Sequence, residues 1–194
     1  MNKRQTCSKC ARPQKLCYCH LIKNLKTESK QLILRHFKEK DHPFNTAKMA
    51  EMSLSDCTIL DSDDPNFTNE ISDFITKENP FLLFYTSESK ELEESLNEIP
   101  SKNFIALDGT WDKAKKILFS NESLSKIPIF HLNPKSETIY RPIRKACAEN
   151  FISTVEAIKE AIELIENRND LEELLEPLRF TVQEQLKYQK KGPS

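Results

Sequence analysis

The residues best suited to chemistry lie in one short segment, Asp108-Gly109-Thr110-Trp111. An apolar run precedes the segment and a helical pattern follows it. A strand that turns into a helix at such a cluster places polar groups at the carboxyl edge of a sheet, where open α/β folds bind ligands. Asp108 could serve as a base or acceptor, Thr110 as a helix-start hydroxyl and Trp111 as a flat surface for a ring. Helix capping by Asp108 and a plain core position for Trp111 remain alternatives.

Four cysteines fall within thirteen residues near the N-terminus: Cys7, Cys10, Cys17 and Cys19. Tetrahedral zinc accepts four thiolates, and the metal would order a segment too short to build its own core. Redox Cys-x-x-Cys pairs instead open a helix in a βαβ setting, which this segment lacks. We therefore predict a small zinc-binding segment over residues 1–28, with His20 as an alternative to one of the cysteines.

Two further clusters follow predicted strands and carry cationic or hydrogen-bonding side chains. After the first strand stand Arg35, His36, His42, Asn45, Thr46 and Lys48, of which Asn45 or Thr46 could cap the next helix. After the fifth strand, a connection of about twenty residues, long enough to suggest function, supplies Arg141, Arg144 and Lys145 for a carboxylate or phosphate. The next helix begins near Ser153, which is spaced from Glu156 as a capping box.

The elements that must position these residues alternate along the chain. Apolar runs predict strands over 31–34, 57–60, 81–85, 104–107 and 127–132, and helical patterns predict helices over 45–54, 68–78, 90–98 and 111–119. This alternation predicts an α/β fold with a mostly parallel sheet flanked by helices. A further helical pattern after residue 170 is interrupted by Pro177.

Composition excludes several functions. The 194 residues contain only two glycines, Gly109 and Gly192, so neither a dinucleotide-binding fingerprint nor a P-loop is possible. The sequence contains no run of about twenty apolar residues, so it predicts no membrane span. No apolar region of the kind found in secretory signals follows the basic N-terminus. Because the cysteines are clustered rather than spread, we expect a reducing cytoplasmic location.

Charge is distributed unevenly. The first forty residues carry eleven Lys and Arg against two Glu, a net charge of +9, whereas the remainder carries −10. A basic region on an acidic body favours a polyanionic partner such as nucleic acid, although a solvated arm is the alternative.

Four motifs, in order from about residue 7 to residue 160, together resemble the DTW-domain family. In chain order they are the cysteine pattern, the block from His42 to Lys48, Asp108-Gly109-Thr110-Trp111, and Arg144-Lys145 followed by Ser153-Thr154-Val155-Glu156-Ala157. The resemblance implies a tRNA-uridine aminocarboxypropyltransferase, which moves the 3-amino-3-carboxypropyl group of S-adenosylmethionine (SAM) to uridine N3 and releases methylthioadenosine. It also implies a SPOUT-like catalytic domain, here residues 29–194, with a C-terminal knot. The protein would be a monomer or a homodimer.

The resemblance and the clusters together give each candidate residue a role. Asp108 would either accept the N3 proton or only orient the base or the substrate amine. SAM would contact Tyr85, Thr86, Ser87, Thr110, Trp111, backbone near Leu132, Arg144, Lys145 and Ser153. RNA would contact Arg35, His36, His42, Asn45, Thr46, Lys48 and Arg141. Two other functions stay open: a SPOUT-type SAM-dependent RNA methyltransferase, and a non-catalytic zinc-containing RNA-binding module.

Overall fold

A computed structural model describes residues 5–42, 44–134, 137–143 and 152–191. Strands β1 to β6 span Gln31–Arg35, Cys57–Asp61, Phe81–Leu83, Lys90–Glu91, Phe104–Asp108 and Ile129–His131. Helices α1 to α5 span Thr46–Ser53, Phe67–Glu78, Trp111–Ser120, Thr154–Glu166 and Glu176–Lys191. Short 3₁₀ turns join several of these elements. The predicted α/β class is confirmed.

The six strands form one sheet in the order β2-β1-β5-β3-β6-β4, and every pair is parallel. Parallel strands need long crossover connections, so the helices between them must cover the two faces of the sheet. All the strand carboxyl ends therefore lie along a single edge. Arg35 at the end of β1 is in register with Asp61 on one side and Asp108 on the other.

Alternation along the strands divides the core into two layers, because successive side chains point to opposite faces. On one face, Leu32, Leu34, Leu82 and Ile105 pack with apolar residues of α2 and α3. On the other, strand residues such as Ile33 and Phe104 pack with α1, α4 and α5. The second cluster also contains Cys10 and Tyr18, so the N-terminal segment packs against this face of the sheet.

One predicted helix is wrong. Residues 90–98 form the short edge strand β4 and a 3₁₀ turn over Glu93–Glu98. β4 pairs with β6, and the Leu92 amide donates to the His131 carbonyl over 2.8 Å. Because these backbone groups bond to the neighbouring strand, they are not free to form the hydrogen bonds of a helix. Ser95 has non-helical dihedral angles inside the turn.

Three other elements, β3, β6 and α5, differ from the sequence-based expectation. β3 and β6 are shorter than the apolar runs that predicted them, because the flanking residues already belong to the connections at the sheet edge. Pro177 lies in the first turn of α5 rather than interrupting a helix. A proline is tolerated there because the first amides of a helix have no partner within it.

Among the described residues, no helix combines the length and the apolar character that crossing a bilayer requires.

Candidate active site

The candidate site is centred on Asp108 at the end of β5. Its side chain is only 8% exposed, although the adjoining Gly109 and Thr110 are exposed. Thr154 Oγ1, at the start of α4, donates a 2.5 Å hydrogen bond to Asp108 Oδ1. Burial raises the pKa of Asp108, whereas the Thr154 hydrogen bond and the charge of Arg35 act in the opposite direction. The carboxylate is thus a stronger base than an exposed aspartate.

Arg35 occupies the next strand end and makes a bidentate ion pair. Its Nε and Nη2 donate to the two carboxylate oxygens of Asp61 over 2.6 and 3.0 Å. Lys40 Nζ adds a second cation 3.2 Å from Asp61 Oδ2. These contacts fix the guanidinium between two strand ends, where it contributes positive charge close to Asp108.

Gly109 allows close packing between the end of β5 and its surroundings. A Cβ at this position would lie 3.1 Å from Lys113 Cβ and 3.5 Å from His36 Cβ. The His36 amide donates to the Asp108 carbonyl over 3.0 Å, which joins the β1 and β5 strand ends. Burial, followed by the charges of Lys113 and Lys116, lowers the pKa of His36. The site therefore favours a neutral imidazole.

Beyond β5, four rings meet at the ends of β3 and β6 and the start of α3. We call Phe84, Tyr85, Trp111 and His131 the aromatic cluster. Trp111 stacks on Phe84 with ring centroids 4.8 Å apart, and Lys115 Nζ lies 5.1 Å from the centre of the indole. Tyr85 is 55% exposed and lies between Trp111 at 6.2 Å and His131 at 5.1 Å. Such a surface can hold a flat heterocycle by stacking.

The four N-terminal cysteines converge as a metal site requires. Their sulfur atoms all lie within 4.8 Å of one another. Cys7 and Cys19 are 3.6 Å apart, and Cys10 and Cys17 are 3.8 Å apart. Zinc–sulfur bonds of about 2.3 Å in tetrahedral geometry separate sulfurs by about 3.8 Å, so the donor set fits zinc. The set of four cysteines could hold a metal ion.

The backbone around Cys7 favours the thiolate form of this residue. Ala11 adopts a left-handed conformation with φ 59°, and its amide donates to the Cys7 carbonyl over 3.0 Å. Amide donors from Cys10 and Lys9 lower the pKa of Cys7 to about 6. His20 is not one of the ligands in this cluster; its ring packs edge-on against Phe180 at 5.4 Å.

Comparison with known proteins gives the family. A family model described as "DTW domain" matches residues 4–186. The chain belongs to the DTW-domain family. It is similar to proteins named tRNA-uridine aminocarboxypropyltransferase 2: 28% identical to that of Drosophila melanogaster over 95% of the chain, and 27% identical to those of Macaca fascicularis and Mus musculus over 96%. The chain spans 76% of the fly protein and 65% of each mammalian one. No solved structure matches significantly.

The described residues that were predicted to contact SAM follow strands β3, β5 and β6 or begin α4. Thr86 and exposed Ser87 follow Tyr85 in the turn between β3 and β4. Thr110 precedes α3 without making a side-chain cap, and Leu132 directly follows β6. Ser153 caps α4 in a complete capping box with Glu156, as its spacing predicted. Arg144 and Lys145 lie outside the described residues.

The residues predicted to contact RNA are on the opposite side of Asp108, and several have structural partners. Asn45 caps α1 by accepting from the Lys48 amide over 3.0 Å, and Thr46 is buried. Lys48 Nζ pairs with Glu51 at 2.7 Å, and Arg141 pairs with Glu137. His42 is exposed, and its Nδ1 accepts from the Phe44 amide. Direct RNA contact by these residues stays a prediction.

Some residues of this DTW-domain site were not identified from the sequence. Thr154 was noted only as part of a motif, yet it contacts Asp108 across 46 positions of sequence. Its place one residue after a predicted N-cap was the available signal. Ser89 was also missed; its Oγ lies 2.9 Å from Nδ1 of His131, a member of the aromatic cluster. No sequence pattern relates Ser89 to His131, because β4 was predicted as part of a helix.

Proposed function

We propose that this protein transfers the 3-amino-3-carboxypropyl group of SAM to N3 of a uridine in tRNA and releases methylthioadenosine. Membership of the DTW-domain family and the names of the similar proteins support this activity. The observation in the fold on which the proposal depends is the buried carboxylate of Asp108, at the same carboxyl edge of the sheet as an aromatic cluster of which Tyr85 is exposed.

The reaction is a displacement at carbon. The uridine N3–H bond breaks and its proton passes to a base, while N3 forms a bond to the terminal carbon of the aminocarboxypropyl chain. The bond between that carbon and the sulfonium sulfur breaks, and its electron pair stays on sulfur in neutral methylthioadenosine. Because the sulfonium activates all three attached carbons, orientation decides which one reacts.

Asp108 is our proposed acceptor of the N3 proton. Burial raises its pKa, which makes the carboxylate a better base near neutral pH. The hydrogen bond from Thr154 stabilises the negative charge of the Asp108 carboxylate and orients its Oδ1. Oδ2 is then left for the substrate. Arg35 acts through its charge, and its Nε and Nη2 are held by Asp61.

The aromatic cluster is our proposed site for the adenosine of SAM. Trp111 and Tyr85 would stack on the adenine ring, and backbone at Leu132 would bond to its edge. Thr86, Ser87, Thr110 and Ser153 would complete the pocket, and Arg144 or Lys145 would bind the amino acid carboxylate. That carboxylate contact would turn the carboxypropyl carbon, rather than the methyl, toward the uridine.

Zinc and RNA complete the proposal. Cys7, Cys10, Cys17 and Cys19 would hold one structural zinc ion, since the sulfur separations fit a tetrahedral ion. The zinc would order the segment that packs through Cys10 and Tyr18 into the core.

RNA would approach over Arg35, His36, His42, Asn45, Thr46, Lys48 and Arg141. A C-terminal knot, cytoplasmic location and a monomeric or homodimeric state are parts of the same proposal.

The decisive test uses two preparations of SAM, labelled in the methyl group or in the carboxypropyl chain, each incubated with the protein and unmodified tRNA. Carboxypropyl label in the RNA without methyl label supports the proposal. Methyl label alone would make the protein a methyltransferase. Binding of RNA without any binding of SAM would instead make it a non-catalytic RNA-binding module. The variant Asp108→Asn, incubated in parallel, controls for label carried over without catalysis.

A further inference from the structure

The turn between β3 and β4 holds the His131 ring through a single hydroxyl group. Ser89 Oγ lies 2.9 Å from His131 Nδ1 and 2.8 Å from the Thr86 carbonyl oxygen. The same Oγ accepts a hydrogen bond from the Thr86 amide over 2.9 Å. Three neighbours therefore surround one oxygen that carries a single hydrogen and two lone pairs.

Counting hydrogens decides the direction of each bond. A carbonyl oxygen can only accept, and two oxygens 2.8 Å apart need a hydrogen between them, so the Ser89 hydrogen points to Thr86. One lone pair of Oγ takes the Thr86 amide. The second lone pair can then only accept from His131, so His131 Nδ1 carries a hydrogen. In a neutral imidazole with Nδ1 protonated, Nε2 is a hydrogen-bond acceptor.

The resulting acceptor lies in the aromatic cluster. His131 is half-buried, its ring meets the exposed Tyr85 ring at 78°, and Tyr85 in turn meets Trp111. Within the described ranges of the chain, no residue makes a hydrogen bond to His131 Nε2. A ring that stacks on Trp111 or Tyr85 would bring its own edge toward such an acceptor.

We propose that His131 determines specificity by accepting, at Nε2, a hydrogen bond from a nitrogen donor on the edge of a flat heterocycle, and that Ser89 is its positioning residue. The inference rests on the proposed function, and it names the donor group that the same site selects. In the proposed reaction that donor is the exocyclic amine of adenine in SAM, because the aromatic cluster is the proposed adenosine site and Asp108 takes the N3 proton of uridine.

The tautomer is tested first, without any ligand. Nitrogen-15 NMR of the imidazole distinguishes Nδ1–H from Nε2–H, and His131→Gln assigns the signal. We expect wild-type His131 to be the Nδ1–H tautomer and Ser89→Ala to move it toward Nε2–H. Ser89→Thr, which keeps the hydroxyl, should retain the wild-type tautomer. An Nε2–H signal in the wild-type protein overturns the proposal.

The donor is tested by adding methylthioadenosine, methylthioinosine or uridine to the labelled protein. A shift of Nε2 with methylthioadenosine, together with affinity weaker by about tenfold for methylthioinosine, identifies the adenine amine. A shift with uridine alone overturns the assignment of the adenine amine as the donor to His131. A ligand that binds without shifting Nε2 overturns the inference while the label-transfer experiment still supports the transferase. Failure of both binding and label transfer overturns the proposed function itself.

A double-mutant cycle tests whether Ser89 acts through His131. Gln places an acceptor near the Nε2 position with no tautomer to fix, so His131→Gln should retain most binding, whereas His131→Ala should weaken it about tenfold. Ser89→Ala should weaken binding in the wild-type background but not in His131→Gln. Equal losses in both backgrounds would mean that Ser89 only supports the turn, and would overturn its positioning role.

Discussion

Thr154 Oγ1 and Asp108 Oδ1 are joined by a 2.5 Å hydrogen bond that connects the first residue of α4 to the last residue of β5. The contact stabilises the ionised form of a carboxylate whose pKa burial raises. A single hydroxyl group thus adjusts the basicity of the proposed base and fixes the direction of its oxygens. The capping box at Ser153 and Glu156 holds the start of α4, and with it the hydroxyl.

Thr154→Val should weaken catalysis without preventing folding. Loss of a hydrogen bond to a charged group costs about 1.5–3 kcal/mol, so we expect kcat/KM at neutral pH to fall roughly 10- to 100-fold. Because the lost bond lowers the pKa of Asp108, the acid limb of the pH–rate profile should move to higher pH. Thr154→Ser should behave like wild type. An unmoved acid limb in Thr154→Val would show that Asp108 is not the titrating base.

Asp108→Asn should abolish most activity yet make the fold more stable at neutral pH. Loss of a general base reduces rates by roughly 10²–10⁴-fold. The raised pKa means that the native state binds more protons than the unfolded state, so stability falls as pH rises from the ordinary aspartate range through the folded-state value. The amide variant avoids this loss. Urea unfolding across pH should show the two proteins diverging as pH rises; parallel curves would contradict the raised pKa.

Asp61→Asn should destabilise the protein through Arg35. The bidentate partner is lost while the buried guanidinium stays, and breaking such a pair costs about 3 kcal/mol. Asp73→Asn is the matched control, because Asp73 pairs with Lys77 in full solvent, where ion pairs contribute about 0–1 kcal/mol. Chemical denaturation measures both. Equal, small changes in the free energy of unfolding would show that the Arg35 pair contributes no more than a surface one.

Removal of zinc should unfold the N-terminal segment and lower the thermal stability of the whole protein, because Cys10 and Tyr18 belong to the core cluster. Cys17→Ser should lose the bound metal, measured by elemental analysis, and should unfold at a lower temperature. Cys57→Ala removes a buried thiol that is not among the four candidate ligands, and this variant should keep one zinc ion per chain. Full metal content in Cys17→Ser would exclude the four-cysteine site.

Trp111→Ala should weaken SAM binding by roughly 10- to 100-fold, since base–aromatic stacking contributes about 1–3 kcal/mol. The indole is the only tryptophan, so quenching of its fluorescence reports binding in the wild-type protein, and calorimetry reports it in the variant. Phe119→Ala, at the far and exposed end of α3, should bind SAM normally. Unchanged SAM affinity in Trp111→Ala would remove the indole from the adenosine site.

The sequence determined the parts that depend on local patterning. Short continuous apolar runs and the helical patterns between them predicted five of the six strands and the parallel sheet, because a buried strand needs apolar residues whatever surrounds it. Ser153 and Glu156 predicted their capping box, since that contact joins residues three apart. The cysteine spacing predicted a cluster whose sulfurs do converge.

Tertiary structure decided the rest, because it depends on partners far apart in sequence. β4 replaced a predicted helix once β6 offered backbone partners to an edge strand. Arg35 was predicted to contact RNA, and only the sheet order brings it between Asp61 and Asp108. The contacts of Thr154 with Asp108 and of Ser89 with His131 span 46 and 42 positions, and no local pattern encodes them. Patterning specifies which face of an element is buried, whereas packing specifies which polar groups meet at the sheet edge.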